Sequence, residues 1–228
     1  LKKFSFLAFV ALNSAAVAEF NIGALAGINF FNGNFESKRE RDSARYYKTS
    51  YNLKSFSMGV CAGYDYFFNS LMLGIDTSWL KNSKKWHEIG QTSNGAAGVL
   101  TRNETIYIKS LPQYGAGVRI GYLCGRFLPY LRLGFEKIKF KARLVSASPI
   151  AFPPLSSSYY LSKTKTVASS GLGFEYKMYD NFWIRAEGRY INSKSYRMKY
   201  WSNAYASDAR LRISSRRILL TTGIIYRF

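Results

Sequence analysis

The chain ends Arg217-Ile-Leu-Leu-Thr-Thr-Gly-Ile-Ile-Tyr-Arg-Phe228, and this stretch decides how the rest is read. Its even positions are Ile218, Leu220, Thr222, Ile224, Tyr226 and Phe228; both arginines and Gly223 fall on the odd positions. Alternation of this kind is the mark of a β-strand. An edge strand ending in Phe would invite aggregation in water, whereas a strand with one side in hydrocarbon and both edges paired would not. A buried core strand is the other reading of these residues.

Working upstream, the same two-residue period recurs seven times. Phe20, Ile22, Ala24, Ala26, Ile28 and Phe30 share a side opposite Asn21, Gly23, Leu25, Gly27 and Asn29. Further strands are predicted over about 52–66, 71–79, 105–123, 129–136, 168–177 and 182–190. Polar, basic segments near 32–51, 81–103, 142–165 and 192–214 alternate with turns of two or three residues near 69, 125 and 180. Eight strands with long and short connections in alternation predict an all-β fold: an eight-stranded antiparallel up-and-down transmembrane β-barrel, long loops outside and short turns on the other side. A soluble barrel would put apolar side chains inside and charge outside. Here the bulky side of each strand is nearly free of charge, and the opposite side carries Gly, Ser, Asn and the ionisable residues.

That parity assigns Asp65, Asp76, Arg119, Arg132, Glu136, Glu175, Lys177, Arg185, Glu187 and Arg189 to the lumen. Buried charge is costly unless paired, so one interlocked salt-bridge network is expected there; a charged ion path is the alternative. Tyr130 and Trp183 point inward by the same parity.

Residues 1–18 begin with two lysines, continue apolar and end in small residues, the pattern of a cleaved signal peptide, with the barrel expected over 19–228. The formal charge is +20, or +18 with Lys2 and Lys3 set aside. For an exported chain this suits anionic headgroups or surface polyanions, and no nucleic acid is expected as partner. The basic residues fall in the expected loops: Lys38, Arg39, Arg41, Arg45 and Lys48 in the first, Lys84 and Lys85 in the second, and Lys194, Arg197, Lys199, Arg210 and Arg212 in the fourth. The sole histidine, His87, sits beside Trp86 and Glu88 with no second histidine for a catalytic set. Metal-ligand spacing is absent and no cofactor is expected. Cys61 faces the lumen by parity and Cys124 falls in a short turn, not on neighbouring strands, which leaves a disulfide open.

The signal segment, Gly-Arg-Phe-Leu-Pro-Tyr-Leu at 125–131, Gly-Leu-Gly-Phe-Glu-Tyr-Lys at 171–177, Arg-Ala-Glu-Gly-Arg-Tyr at 185–190 and the terminal Phe together resemble the small bacterial outer-membrane β-barrels. The likeness is to OmpA/OmpX-type barrels and alphaproteobacterial surface antigens. The resemblance implies that Tyr226 and Phe228 form a C-terminal insertion signal read by the barrel-assembly machinery. It also implies a home among outer-membrane lipids and a non-enzymatic role as envelope component, surface antigen or adhesin for anionic host or surface polymers. A narrow passive pore and an exported soluble barrel are the rival readings.

Overall fold

In the computed structural model the described residues are 16–39, 46–83, 87–93, 103–147, 156–202 and 207–228, and every regular element among them is a strand. In chain order these are β1 (Ala16–Arg39), β2 (Tyr46–Phe68), β3 (Leu71–Asn82), β4 (His87–Ser93), β5 (Asn103–Tyr122), β6 (Phe127–Ala147), β7 (Ser156–Tyr179), β8 (Phe182–Ser202) and β9 (Ser207–Arg227). All pairings are antiparallel. Both β3 and β4 lie against β5, so they are two parts of one stave. β1 pairs with β9 and β3 with β5, which closes the ring at eight positions. Asn69 (φ 53°) and Gly125 (φ 63°) make two of the tight turns, and both residue types tolerate that left-handed backbone.

Side chains alternate strictly between wall and lumen. Along β3 every even-numbered residue is buried and every odd one exposed. The direction is inverted relative to a soluble barrel: Val118, Leu133 and Ile224 are 51%, 62% and 61% exposed, while Arg119 and Arg132 are 1% and 0% exposed. An exposed belt of this kind is stable only where its surroundings are hydrocarbon, so the reading as an exported soluble barrel falls.

The four polar segments differ from expectation. β1 runs on to Arg39 and β2 starts at Tyr46, and the other long connections shorten in the same way. Lys38, Arg39, Lys48, Lys194, Arg197, Lys199, Arg210 and Arg212 therefore lie on strands, not in loops. Arg41, Arg45, Lys84 and Lys85 lie outside the described residues. The physical reason is a change of solvent. Above the bilayer the outer wall meets water, so the polar side turns out and the apolar side turns in. Phe31 and Phe35 are buried there while Asn32 and Asn34 are exposed. A lumenal apolar cluster results, built on Phe31, Phe35, Tyr51, Ile106, Ile108, Phe140, Tyr196 and Ile213.

Among the described residues, the ladders of this upper part do not close into a ring. β7 and β8 pair only as far as Ser169 and Ile191, and β2 and β3 only as far as Ser57 and Asn82. Beyond those points β2-β1-β9-β8 and β4-β5-β6-β7 continue as two four-stranded sheets facing each other across the apolar cluster.

At the other end, Ala16, Val17 and Ala18 are in β1 opposite Phe68, Phe67 and Tyr66, so the expected processing boundary falls within a strand. Residues 1–15 lie outside the described set.

Candidate functional site

The lumen is filled by charge in two storeys. In the lower one, Asp65 on β2 accepts both Arg119 Nη2 bonds at 2.6 and 2.8 Å. Glu175 on β7 holds three arginines: Arg119 at 2.7 Å, Arg185 at 2.6 Å and Arg227 at 2.5 Å. Arg227 also reaches Glu19 at 2.9 Å and Asp65 at 3.1 Å. Asn21 Nδ2 also donates to Asp65 Oδ2, at 2.8 Å. In the upper storey, Arg132 pairs with Asp76 at 3.0 Å and Glu136 at 3.2 Å. Arg189 pairs with Glu136 at 3.3 Å and makes a close contact with Glu187. Gln113, Ser78 and Ser169 supply further hydrogen bonds to this group.

Nine of the ten lumen residues expected from parity are thus fully buried and paired with one another; Lys177 is half-buried and outside the ion pairs. Two corrections follow. The pairs form two groups, not one interlocked network. Tyr130 joins them: its hydroxyl donates to Glu187 Oε2 at 2.7 Å, and its ring lies 5.2 and 6.0 Å from the Arg119 and Arg185 guanidinium carbons. The ring fits because Gly173 has no Cβ; one placed there would collide with Tyr130 Cζ and Oη. The membership also changes. Glu19 and Arg227 join the lower group, and Arg217 lies buried above, its guanidinium carbon 4.5 Å from the centre of the Phe31 ring. Six carboxylates (Glu19, Asp65, Asp76, Glu136, Glu175, Glu187) then face six guanidinium groups (Arg119, Arg132, Arg185, Arg189, Arg217, Arg227), so these twelve buried or half-buried groups balance in charge. Neutrality is what a low-dielectric interior demands, because an unpaired ion there costs several kcal/mol. Above Arg132, Asn29, Ser57 and Asn82 bond one another at 2.5–2.8 Å. A void of about 10 Å³ between Phe31, Leu53, His87, Phe140 and Arg217 has room for one water.

The outer wall carries the second feature. Trp79 and Tyr114 are register partners at the top of the apolar belt, and Tyr114 is opposite Lys137. At that height Lys54, Lys81, Lys137 and Arg216 are all exposed. Lys139 and Lys141 continue up β6, and with Pro112, Tyr114, Lys137 and Thr164 they line an open groove of about 450 Å³. At the opposite rim Tyr122, Phe127, Tyr176, Tyr179 and Phe182 are exposed, as an interfacial aromatic girdle requires. Phe228 donates its N–H to Phe20 O at 2.9 Å, and its ring lies 4.8 Å from Tyr226 and 5.8 Å from Phe20.

His87 opens β4 and lines the small void. Among the described residues no cluster of His, Cys, Asp and Glu is arranged to hold a metal. Cys61 is buried in the lumen and Cys124 is exposed, both as free thiols.

A closed β-ring with an apolar outer belt, aromatic rims and an ionic interior is an outer-membrane barrel. The model of the outer membrane protein beta-barrel domain matches residues 4–214, and the chain belongs to that family; it resides in the bacterial outer membrane. Among solved structures it is similar to the outer membrane protease OmpT from Escherichia coli, at 10% identity and a TM-score of 0.52, covering 91% of this chain and 97% of that one. It is similar to the outer membrane protein OprG from Pseudomonas aeruginosa at 11% identity and 0.51, covering 94% and 98%. Ail, the attachment invasion locus protein of Yersinia pestis, matches at 16% identity and 0.37, covering 90% and 99%. At these identities the likeness to OmpT and OprG is one of fold alone. No curated protein matches the sequence.

Proposed function

We propose that this barrel is a non-enzymatic surface component of the envelope, which holds anionic lipid headgroups at its collar and attaches to anionic surface polymers above it. One observation carries the reading: exposed basic side chains continue from the collar (Lys54, Lys81, Lys137, Arg216) up the outer wall through Lys139, Arg197 and Arg212. The pairing of Arg212 with Glu36 is long, at 3.9 Å, and half exposed, so it leaves that charge largely available. Each exposed contact with a polyanion is weak, but many together bind with steep salt dependence. The packed, charge-paired lumen speaks against the pore alternative, and the single histidine, outside any triad-like arrangement among the described residues, against an enzyme. The role of Tyr226 and Phe228 in recognition by the assembly machinery belongs to the same proposal, supported by their outward place at the closing seam.

The test is binding of the refolded barrel to a heparin-like sulfated polymer over a salt series. Retention at low salt, lost at high salt and weakened by Lys137→Gln, Lys139→Gln and Arg212→Gln together, is expected. Absence of binding at low salt overturns the attachment reading. Conductance steps in a planar bilayer would favour the pore.

A further inference from the structure

Among the described residues, no strand pairs with the upper edge of β7. β7 stays paired to β6 up to Ser156, and β8 to β9 up to Ser202, yet the two strands part above Ser169 and Ile191. Lys177 N–H donates to Arg126 O at 2.8 Å, so odd residues of β7 bond toward β6, and that register is unbroken to the top of the strand. Even residues therefore turn their N–H and C=O toward the split, Tyr160, Ser162 and Thr164 among them. On the far side Arg227 N–H donates to Asn181 O, so odd residues of lower β8 bond toward β9; the irregularity between Ile191 and Lys194 reverses the parity. Ser195 C=O then points into the split. It accepts Lys165 Nζ at 2.6 Å, a side chain standing where a neighbouring strand's N–H would be.

The side chains agree. Tyr160, Ser162, Lys163 and Thr164 are all exposed, without the alternation that a covered strand shows. Residues 156–168 and 192–202, which border the split, and 137–147 on the strand behind β7 hold nine Lys or Arg and no Asp or Glu. Lysines protect such an edge against self-pairing by like-charge repulsion, since a second copy brings the same sign. They favour a partner of opposite sign.

We propose that the free edge of β7 at Tyr160–Thr164 takes up an extended acidic polypeptide as an added strand. Backbone hydrogen bonds to Tyr160, Ser162 and Thr164 would fix its register, and its carboxylates would lie beside Lys163 and Lys165. Main-chain pairing supplies affinity in such additions, and alternate side chains supply specificity. The inference goes beyond attachment to polyanions in general, because it requires a backbone that can pair.

The experiment uses the whole refolded barrel in detergent micelles and a blocked ten-residue peptide alternating Glu with Val or Thr. Thr164→Pro removes one donor that the barrel's own ladder does not use, at an edge where proline is tolerated. Heat-shifted gel mobility checks that the variant folds. Binding of the peptide, weakened about tenfold by Thr164→Pro and by N-methylation of alternate peptide residues, is expected, with heparin-like binding unchanged. Peptide binding indifferent to both changes would mean attraction by charge alone and overturn the proposal. So would no peptide binding; retained heparin-like binding would then leave the attachment reading standing. A wild-type dimer that Thr164→Pro dissociates would assign the edge to a second copy and also overturn it.

Discussion

Glu175→Gln tests the lumen most sharply, because one carboxylate there serves three arginines. The three do not depend on it equally. Arg119 keeps Asp65, and Arg227 keeps Asp65 and Glu19. Arg185 keeps no carboxylate; its other bonded neighbour is Cys61 Sγ at 3.6 Å. The substitution therefore strands one fully buried guanidinium and weakens two. Breaking a buried ion pair from one side costs about 3–5 kcal/mol, a shift of roughly a hundred- to several-thousand-fold in the folding equilibrium. Urea unfolding of the refolded barrel in detergent or lipid vesicles, followed by tryptophan fluorescence, reads it directly. Adding Arg185→Met removes the stranded charge, so the double variant should recover about 2 kcal/mol relative to Glu175→Gln alone. If Glu175→Gln unfolds within about 0.5 kcal/mol of wild type, or if the two changes simply add, the lumen tolerates unpaired charge and the reasoning fails.

Gly173→Ala should destabilise by about 1–3 kcal/mol through overpacking, because Tyr130 must leave its seat and its bond to Glu187. Gly125→Ala, in open space, should cost about 1 kcal/mol from its backbone alone; the same unfolding assay compares the two. Leu133→Arg, in the middle of the outer belt, should cost about 2–4 kcal/mol in a bilayer. Leu133→Asn should cost clearly less; equal costs for the two would place residue 133 away from hydrocarbon.

The part of the fold inside the bilayer was legible from the sequence because its two solvents differ so strongly. Lipid accepts Leu131, Leu133 and Phe135, and the narrow lumen takes Arg132, Gly134 and Glu136, so parity alone sorts them. Outside the bilayer the contrast reverses. Lys139 and Lys141 face out and Ile138, Phe140 and Ala142 face in, and the reversal hid strand behind what read as polar loop. The split between β7 and β8 has no sequence sign beyond the run of Ser, Thr and Lys in 156–166, which suits a loop as well as an edge. In the site, parity placed Asp65, Arg119, Glu175 and Arg185 but not their partners Glu19 and Arg227. The expected set was already balanced at five acids and five bases, Lys177 among them, so no missing charge pointed to Arg217 or Arg227. Those two arginines share a side with Leu219 and Ile225, which made the closing strand look apolar on both faces. Tyr130 was readable as inward but not as the joint between two ionic groups, since that depends on its ring lying over the bare backbone of Gly173, its register partner on β7.

Single spin labels at Val118→Cys, Leu133→Cys and Ile224→Cys, in a background lacking Cys61 and Cys124, would measure contact with lipid directly in reconstituted vesicles. The account predicts that all three collide freely with molecular oxygen, which dissolves in hydrocarbon, and are shielded from a water-soluble nickel complex. Labels at these positions that the nickel complex reaches, or that neither reagent reaches because they are packed in the interior, would contradict it.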